Sequence, residues 1–247
     1  MPGLHTKGLG AMSAYEVKQE VIAVQGVADL IIRSLLDRQQ YDDADGAAEA
    51  LGISSAAWPL FGLLWPSGMQ LATHMAQRPL VINERVLEIG CGLGLASLVC
   101  HRQGVDVTAS DCHPLASAFL TENLRLNAMA LLPYRHGDWA ALADALPVAG
   151  GQERVSGLFD LIIGSDVLYE RDDGGQLSGF IERHASPQAE VLIVDPNRGN
   201  RSAFNKRMQA LGYGLVDHPL QSVLANGDTY RGHLLQYTRS ARTSLPM

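Results

Sequence analysis

The sequence predicts an α/β fold: a doubly wound seven-strand sheet in three α/β/α layers, with its last strand antiparallel. Three observations carry that expectation. Short β-branched runs alternate with helix-length segments from Asn83 onward. Each of the first five runs stops at glycine, serine or aspartate. The first of them opens into the glycine-rich turn Glu88-Ile89-Gly90-Cys91-Gly92-Leu93-Gly94. Continuous apolar runs bounded by turn residues read as parallel strands covered on both faces. With 247 residues, 47% hydrophobic and 18% charged, the chain has the size and composition of one globular α/β domain with a large core.

The elements are taken in chain order. Met1 to Met12 is rich in small residues, lacks a signal peptide's apolar core, and reads either as a flexible leader or as residues ahead of a natural start at Met12. Val17–Val24 and Leu30–Leu36 are either a β-hairpin turning near Gly26 or one amphipathic helix. The hairpin is preferred, because Val and Ile concentrate there and Gly26 interrupts a helix. Pro66-Ser67 starts a helix through Gln77. The first core strand, Val86–Ile89, meets the glycine turn, and a helix over Leu95–Gln103 comes next. Val105–Ala109 runs into Ser110-Asp111, and Pro114 suits the first turn of a helix ending at Asn127. Tyr134-Arg135-His136 runs into Gly137-Asp138, Phe159–Ile163 into Gly164-Ser165-Asp166, and Val191–Val194 into Asp195-Pro196. A helix over Ser202–Leu211 stops at Gly212, and Gly214–His218 with Arg231–Thr238 form a closing antiparallel pair. Residues 1–57 are thus expected to be an N-terminal extension, and 58–247 the main domain.

Composition excludes several classes. A formal net charge of −7 argues against a surface built to neutralise phosphates, so no nucleic-acid partner is expected. No apolar run approaches the roughly 20 residues of a membrane-spanning helix. Cys91, Cys100 and Cys112 form no CxxC pair and read as free thiols of a cytoplasmic protein. No histidine pairs at metal-ligand spacing with a second His or Cys, and His113 before Pro114 reads as turn chemistry. Asp42-Asp43-Ala44-Asp45-Gly46 resembles the start of a calcium loop. Gly52 stands where the closing glutamate belongs, so a solvated acidic loop is expected.

The chemistry concentrates at strand ends. Glycines let the backbone fold tightly and a ligand approach with no Cβ in the way, and the helix after the turn offers free N–H groups. A dinucleotide fingerprint would place its third glycine at position 95, which is Leu95. The spacing Glu-x-Gly-x-Gly-x-Gly favours S-adenosylmethionine (SAM) instead, since no pyrophosphate needs a cradle. Glu88 is placed to face the methionine amine, directly or through water. Asp111, at the end of the next strand, can accept hydrogen bonds from both ribose hydroxyls. The indole of Trp139, after Asp138, can lie on adenine, and such stacking contributes about 1–3 kcal/mol. Plain core filling is the alternative for Trp139. Asp166 and Tyr169 come after the fourth strand, and Asp195-Pro196-Asn197-Arg198 after the fifth. Asp166 either orients a substrate or caps the next helix or loop. In open α/β sheets, ligands bind at this carboxyl edge, where the strand order reverses.

With these residues the chain resembles class I SAM-dependent methyltransferases, which have a Rossmann-like sheet. More narrowly, it resembles the branch that groups protein lysine methyltransferases with nicotinamide N-methyltransferase-like proteins. The likeness covers roughly Trp58 to Thr238. It rests on Glu88–Gly94 with Asp111, on Leu64-Trp65-Pro66-Ser67, on Asp138-Trp139, on the Asp-x-x-Tyr tetrad Asp166–Tyr169, and on Asp195-Pro196-Asn197-Arg198, where asparagine replaces a glycine. The resemblance implies that Trp65 and Trp139 contact the cofactor, while Gly90, Cys91 and Gly92 line its methionine end. It also implies that Asp111 holds the ribose, that Ser165 lies near the adenosyl group, and that Asp166 and Tyr169 border the methyl-transfer channel. Gly94 and Asp138 complete the expected cofactor-binding set. The expected reaction is methyl transfer to an amine nitrogen, that of a protein lysine, with a small nicotinamide-like or other amine as the alternative. A non-catalytic SAM-binding regulator is the reading from another class. An NAD-dependent oxidoreductase is disfavoured by Leu95 and by the lack of a Tyr-x-x-x-Lys element.

Overall fold

A computed structural model describes residues 15–140, 152–169, 174–224 and 227–239. The leader Met1–Met12 lies outside the described residues. Strands β1 (Val17–Ile22) and β2 (Leu30–Leu35) form the expected antiparallel hairpin, with Val17 opposite Leu35 and Ile22 opposite Leu30. Gly26 supplies the turn at φ +103°. Leu30, Ile32 and Leu35 are buried. The outer edge of β2 is closed by helix α4 (Ala116–Leu126) and the residue that caps it. Asn123 Oδ1 accepts the Arg33 N–H at 2.7 Å, and Asn127 Oδ1 accepts the Ile31 N–H at 2.9 Å. Those side chains satisfy donors that an open strand edge would leave to water or to another chain.

The acidic stretch departs from the expected solvated loop. Asp43 is buried, accepting the N–H groups of Ala48 and Glu49 at 2.9 Å each and the Tyr41 hydroxyl at 3.0 Å. It supplies the acceptors for the short helix α1 (Ala47–Ala50), whose N-cap, Gly46, has no side chain to do so.

The main sheet has the order β5-β4-β3-β6-β7-β9-β8. Its strands are β3 (Arg85–Ile89), β4 (Asp106–Asp111), β5 (Tyr134–His136), β6 (Phe159–Ser165), β7 (Ala185–Asp195), β8 (Gly214–Val223) and β9 (Thr229–Thr238). The pairs from β5 to β7 are parallel, and β9 runs antiparallel between β7 and β8. Alternation along each strand feeds two cores. Val86, Leu161, Ile163 and Leu192 join the core under α2 (Pro66–Gln77), α3 (Leu95–Arg102), α4 and the hairpin. Leu87, Ile89, Ile162 and Ile193 join the core under α5 (Gln176–His184) and α6 (Arg201–Ala210). The result is the expected three-layer α/β/α sandwich, with the N-terminal hairpin packed into one of its cores.

Several boundaries shift. Helix α4 begins at Ala116, so Pro114 stays in the turn ahead of it, where the Ala116 N–H reaches His113 O at 3.2 Å. Strands β7, β8 and β9 are longer than expected. Strand β8 is the sheet's outer edge and mostly exposed, so it carries no alternation for the sequence to reveal. Helix α5 is not anticipated from sequence, because Gly174-Gly175 and Gly179 read as loop. Leu177, Phe180 and Ile181 nevertheless supply one buried helical face. Among the described residues no helix is long and apolar enough to cross a membrane. The strand order reverses between β3 and β6, which splays the loops beyond them and opens a crevice there.

Candidate functional site

A cavity of about 900 Å³ occupies that crevice. Its floor is the turn between β3 and α3. Gly92 has φ +52°, and a Cβ there would lie 2.9 Å from Phe61 O; Gly94 has φ +72°, and a Cβ would lie 2.6 Å from Leu120 Cδ1. A side chain at either position meets both a left-handed backbone and an occupied space. The turn is held by the neighbouring strand: the Cys91 N–H donates to Ser110 O at 2.9 Å, and the Gly92 N–H to Asp111 Oδ2 at 2.8 Å. The other oxygen of Asp111 accepts the His113 N–H at 2.8 Å. Burial raises this carboxyl's pKa, while the backbone donors pull against the rise.

Glu88 points where strand alternation sends it, to the α3 face shared with Val86. It accepts the Ser97 N–H at 2.8 Å and the Ser97 hydroxyl. Ser97 is the third residue of α3, so Glu88 satisfies a donor that a helix start leaves open and adds a favourable negative charge there. Burial pushes its carboxyl up to about 7, despite both Ser97 donors. Glu88 does line the cavity, but one of its oxygens is committed to α3 rather than left for a ligand.

His113 forms the next wall. Its ring stacks on Phe61, with centroids 3.7 Å apart and planes at 10°. The Leu115 N–H donates to Nδ1 at 3.2 Å, which assigns the proton of the neutral ring to Nε2. Burial lowers the pKa to about 3. Among the described residues Nε2 is buried without a partner, and so is the indole Nε1 of Trp139. Both residues line the cavity, so two buried donors there lack acceptors. The Trp139 ring lies over Gly90, whose Cβ would come within 3.6 Å of Cζ2. Trp65 donates from Nε1 to Leu60 O at 2.9 Å, with the Arg38 guanidinium 5.1 Å from its ring centre. Asp138 accepts the Ala140 N–H at 2.9 Å.

The opposite end is built by the loops after β6 and β7. Asp166 sits at φ +58°, and Arg198 donates to its Oδ1 from Nε at 3.0 Å and Nη2 at 2.6 Å. The side chain therefore pairs with Arg198 rather than capping a helix; α5 is capped by Gly175. Asp195 is buried and holds the Arg198 N–H with both oxygens, at 2.9 and 3.3 Å. Ser165 and Tyr169 complete this wall, Tyr169 partly exposed at the rim.

Of the residues singled out from sequence, Trp65, Glu88, Gly90, Cys91, Gly92, Asp111, Asp138, Trp139, Ser165, Asp166 and Tyr169 all line this one cavity. Gly94 does not. It caps α3, and its α-carbon faces Leu120. Phe61 and Arg38 escaped the sequence reading, because each reaches the cavity from a segment with no motif of its own; Arg198 belongs to the Asp195-Pro196-Asn197-Arg198 motif, but that reading gave its side chain no role. His113 stands two residues after Asp111 on the same turn, a placement that would have justified more than a turn role.

A glycine turn pinned by the next strand's carboxylate, at the switch point of a doubly wound sheet, defines the class of α/β proteins that grip a nucleoside-bearing ligand over a helix start. Within that class the chain belongs to the methyltransferase domain family, whose model matches residues 60–235. The electron transfer flavoprotein β subunit lysine methyltransferase of Xenopus laevis is 29% identical over 64% of this chain and 62% of its own length. The calmodulin-lysine N-methyltransferase of Arabidopsis thaliana is 28% identical over 60% of this chain and 49% of its own. The chain thus spans about half to three-fifths of these relatives. Among solved structures, a Pyrococcus furiosus methyltransferase superposes with a TM-score of 0.53 at 20% identity, covering 80% of this chain and 99% of that one. The SAM-bound magnesium protoporphyrin IX methyltransferase of Synechocystis also gives 0.53, at 16% identity, covering 70% and 78%. Both show the Rossmann-like fold.

Proposed function

We propose that this protein is a SAM-dependent N-methyltransferase whose acceptor is a lysine side chain of another protein, in the cytoplasm. The observation that carries this reading is the union of a carboxylate-pinned glycine turn with the Asp166–Tyr169 wall in a single cavity. The lysine-methylating relatives support the acceptor class. We take residues 58–247 as the catalytic domain and 1–57 as an N-terminal extension, whose hairpin β1–β2 packs onto that domain.

The lining fits SAM by its own chemistry. A carboxylate offers about four lone-pair directions. Asp111 spends some of them on backbone N–H groups, and the remainder suit the ribose hydroxyls. Nε2–H of His113 and Nε1–H of Trp139 are donors awaiting acceptors such as adenine nitrogens carry. Gly90, Cys91 and Gly92 line the cavity where the methionine end would lie. When bound, SAM supplies a methyl group on a sulfonium, open to in-line displacement by an unprotonated nucleophile. The protein's own task is alignment and exclusion of water. Holding a lysine neutral at pH 7 against its reference pKa costs about 4.6 kcal/mol. Asp166 orients the amine through a hydrogen bond, and Tyr169 borders its path at the rim.

Incubating the protein with tritiated SAM and a cell extract that keeps its small metabolites tests this reading. Label recovered as methyl-lysine after acid hydrolysis of the protein fraction is the expected result. Label confined to small metabolites would move the acceptor to a small amine. Absence of any transfer despite calorimetric SAM binding would leave a binding protein and end the enzymatic reading.

A further inference from the structure

The loops after β6 and β7 are sewn together by side chains. Arg198 donates from two nitrogens to Asp166, and Asn200 Nδ2 donates to Leu168 O at 3.0 Å. The backbone of Arg198 is itself held by buried Asp195, while Asn197 turns the chain at φ +67°. The geometry of the pair is one-sided. Both guanidinium donors converge on Oδ1 of Asp166, and among the described residues no hydrogen bond is made to Oδ2. Asp166 and Arg198 both line the cavity, next to Tyr169.

This matters for an amine acceptor. A lone carboxylate beside it would favour the ammonium form, which cannot attack, whereas a cation beside it favours the free amine. We propose that Arg198 is a positioning residue for methyl transfer: it holds Oδ1 so that Oδ2 is aimed at the acceptor amine, and its charge offsets that of Asp166 so that the amine binds unprotonated. This role rests on the amine-methylating function proposed above. Among the described residues, the other charged or titratable groups near the pair are Asp195 at the end of β7, Tyr230 from β9, and Arg201 at the start of α6, which acts on Asp195. Tyr169 and Arg38 line the cavity with it. The carboxylate of Asp195 accepts from the Arg198 backbone, so it fixes the loop without occupying the guanidinium.

The test is the initial rate of methyl-lysine formation from tritiated SAM, with dialysed extract protein as the acceptor pool, from pH 6.5 to 9.5. Wild type is compared with R198Q and R198K, and calorimetric SAM affinity verifies that each variant is folded. R198Q is expected to lose about tenfold at pH 7.5 and to recover most of that by pH 9.5, its profile displaced upward by about one pH unit. R198K keeps the charge and loses the two-nitrogen grip, so it should fall in rate with little displacement. It also carries the test if R198Q does not fold. An equal loss for R198Q at every pH, or no loss, overturns the role of Arg198 and leaves the methyltransferase reading standing. Failure of the wild type to make methyl-lysine overturns both.

Discussion

At the β3 end of the cavity the polar groups are held by backbone. Asp111 takes the N–H groups of Gly92 and His113, Glu88 takes that of Ser97, and all three acceptor contacts lie within 2.8 Å. At the β6–β7 end the decisive contact joins two side chains, Asp166 and Arg198, the latter partly exposed. A site for one invariant ligand benefits from the first construction, because backbone hydrogen bonds and buried carboxylates move little. A site that admits a macromolecular acceptor benefits from the second, since an ion pair with a partly exposed guanidinium can shift when the partner docks. On the function proposed above, the two ends divide the work between fixed grip and adaptable alignment.

The sharpest way to break the fixed end is Gly92→Val. The side chain must adopt a left-handed φ, costing at least about 1–2 kcal/mol for a non-glycine residue, and must also displace Phe61 O, 2.9 Å from the Cβ site. SAM binding by calorimetry should weaken by more than about a hundredfold, which is about 2.7 kcal/mol. Affinity within a few-fold of wild type would mean the turn is not where the cofactor sits.

Asp166→Asn probes the adaptable end. Methyl transfer should drop by about ten- to a hundredfold, as misalignment at a reacting centre typically costs, with SAM affinity unchanged. Full turnover in that variant would remove Asp166 from the mechanism.

Two buried titrating groups of the fixed end, His113 and Glu88, predict opposite pH signatures. His113 has its folded pKa lowered to about 3 from an ordinary 6.5. The unfolded chain therefore binds more protons in that window, and stability present above pH 6.5 is lost as pH falls toward 3. His113→Phe keeps a ring against Phe61 and removes the titration, so its urea midpoints should decline less over that range than those of wild type. Glu88, raised to about 7 from 4.5, contributes the other way. Its stability is full below pH 4.5 and is lost as pH rises through 7. Glu88→Gln, the mildest change, should flatten that neutral limb and leave SAM affinity within about threefold, because one carboxyl oxygen already serves Ser97. A large affinity loss would instead place Glu88 against the cofactor's amine.

How much of the molecule is legible in the chain varies with the kind of signal. Strands β3, β4 and β6 are buried on both faces, so their apolar runs announce them and the turns that end them. The hairpin β1–β2 is legible from β-branched residues and Gly26. Edge strand β8 is legible over Gly214–His218 with its antiparallel partner, but its extension to Val223, exposed along most of its length, has no periodicity to read. Helix α5 hides behind three glycines. At the site, eleven of the twelve candidate residues share the cavity because strand ends in a parallel sheet all open on one edge. Gly94 falls outside because the third glycine serves the helix start.

Sequence alone therefore determined the sheet, the family and the line of strand tips that borders the cavity, since continuous apolar runs and turn chemistry are local properties. Only the tertiary structure decided which hydrogen bonds those tip residues make. Glu88 turned to Ser97, Asp43 became a helix acceptor, His113 stacked on Phe61 and Asp166 met Arg198, and the last three depend on loops whose paths no local pattern encodes. A carboxylate's type and position can be read from the chain, but its partner is chosen by whatever packing brings within about 3 Å.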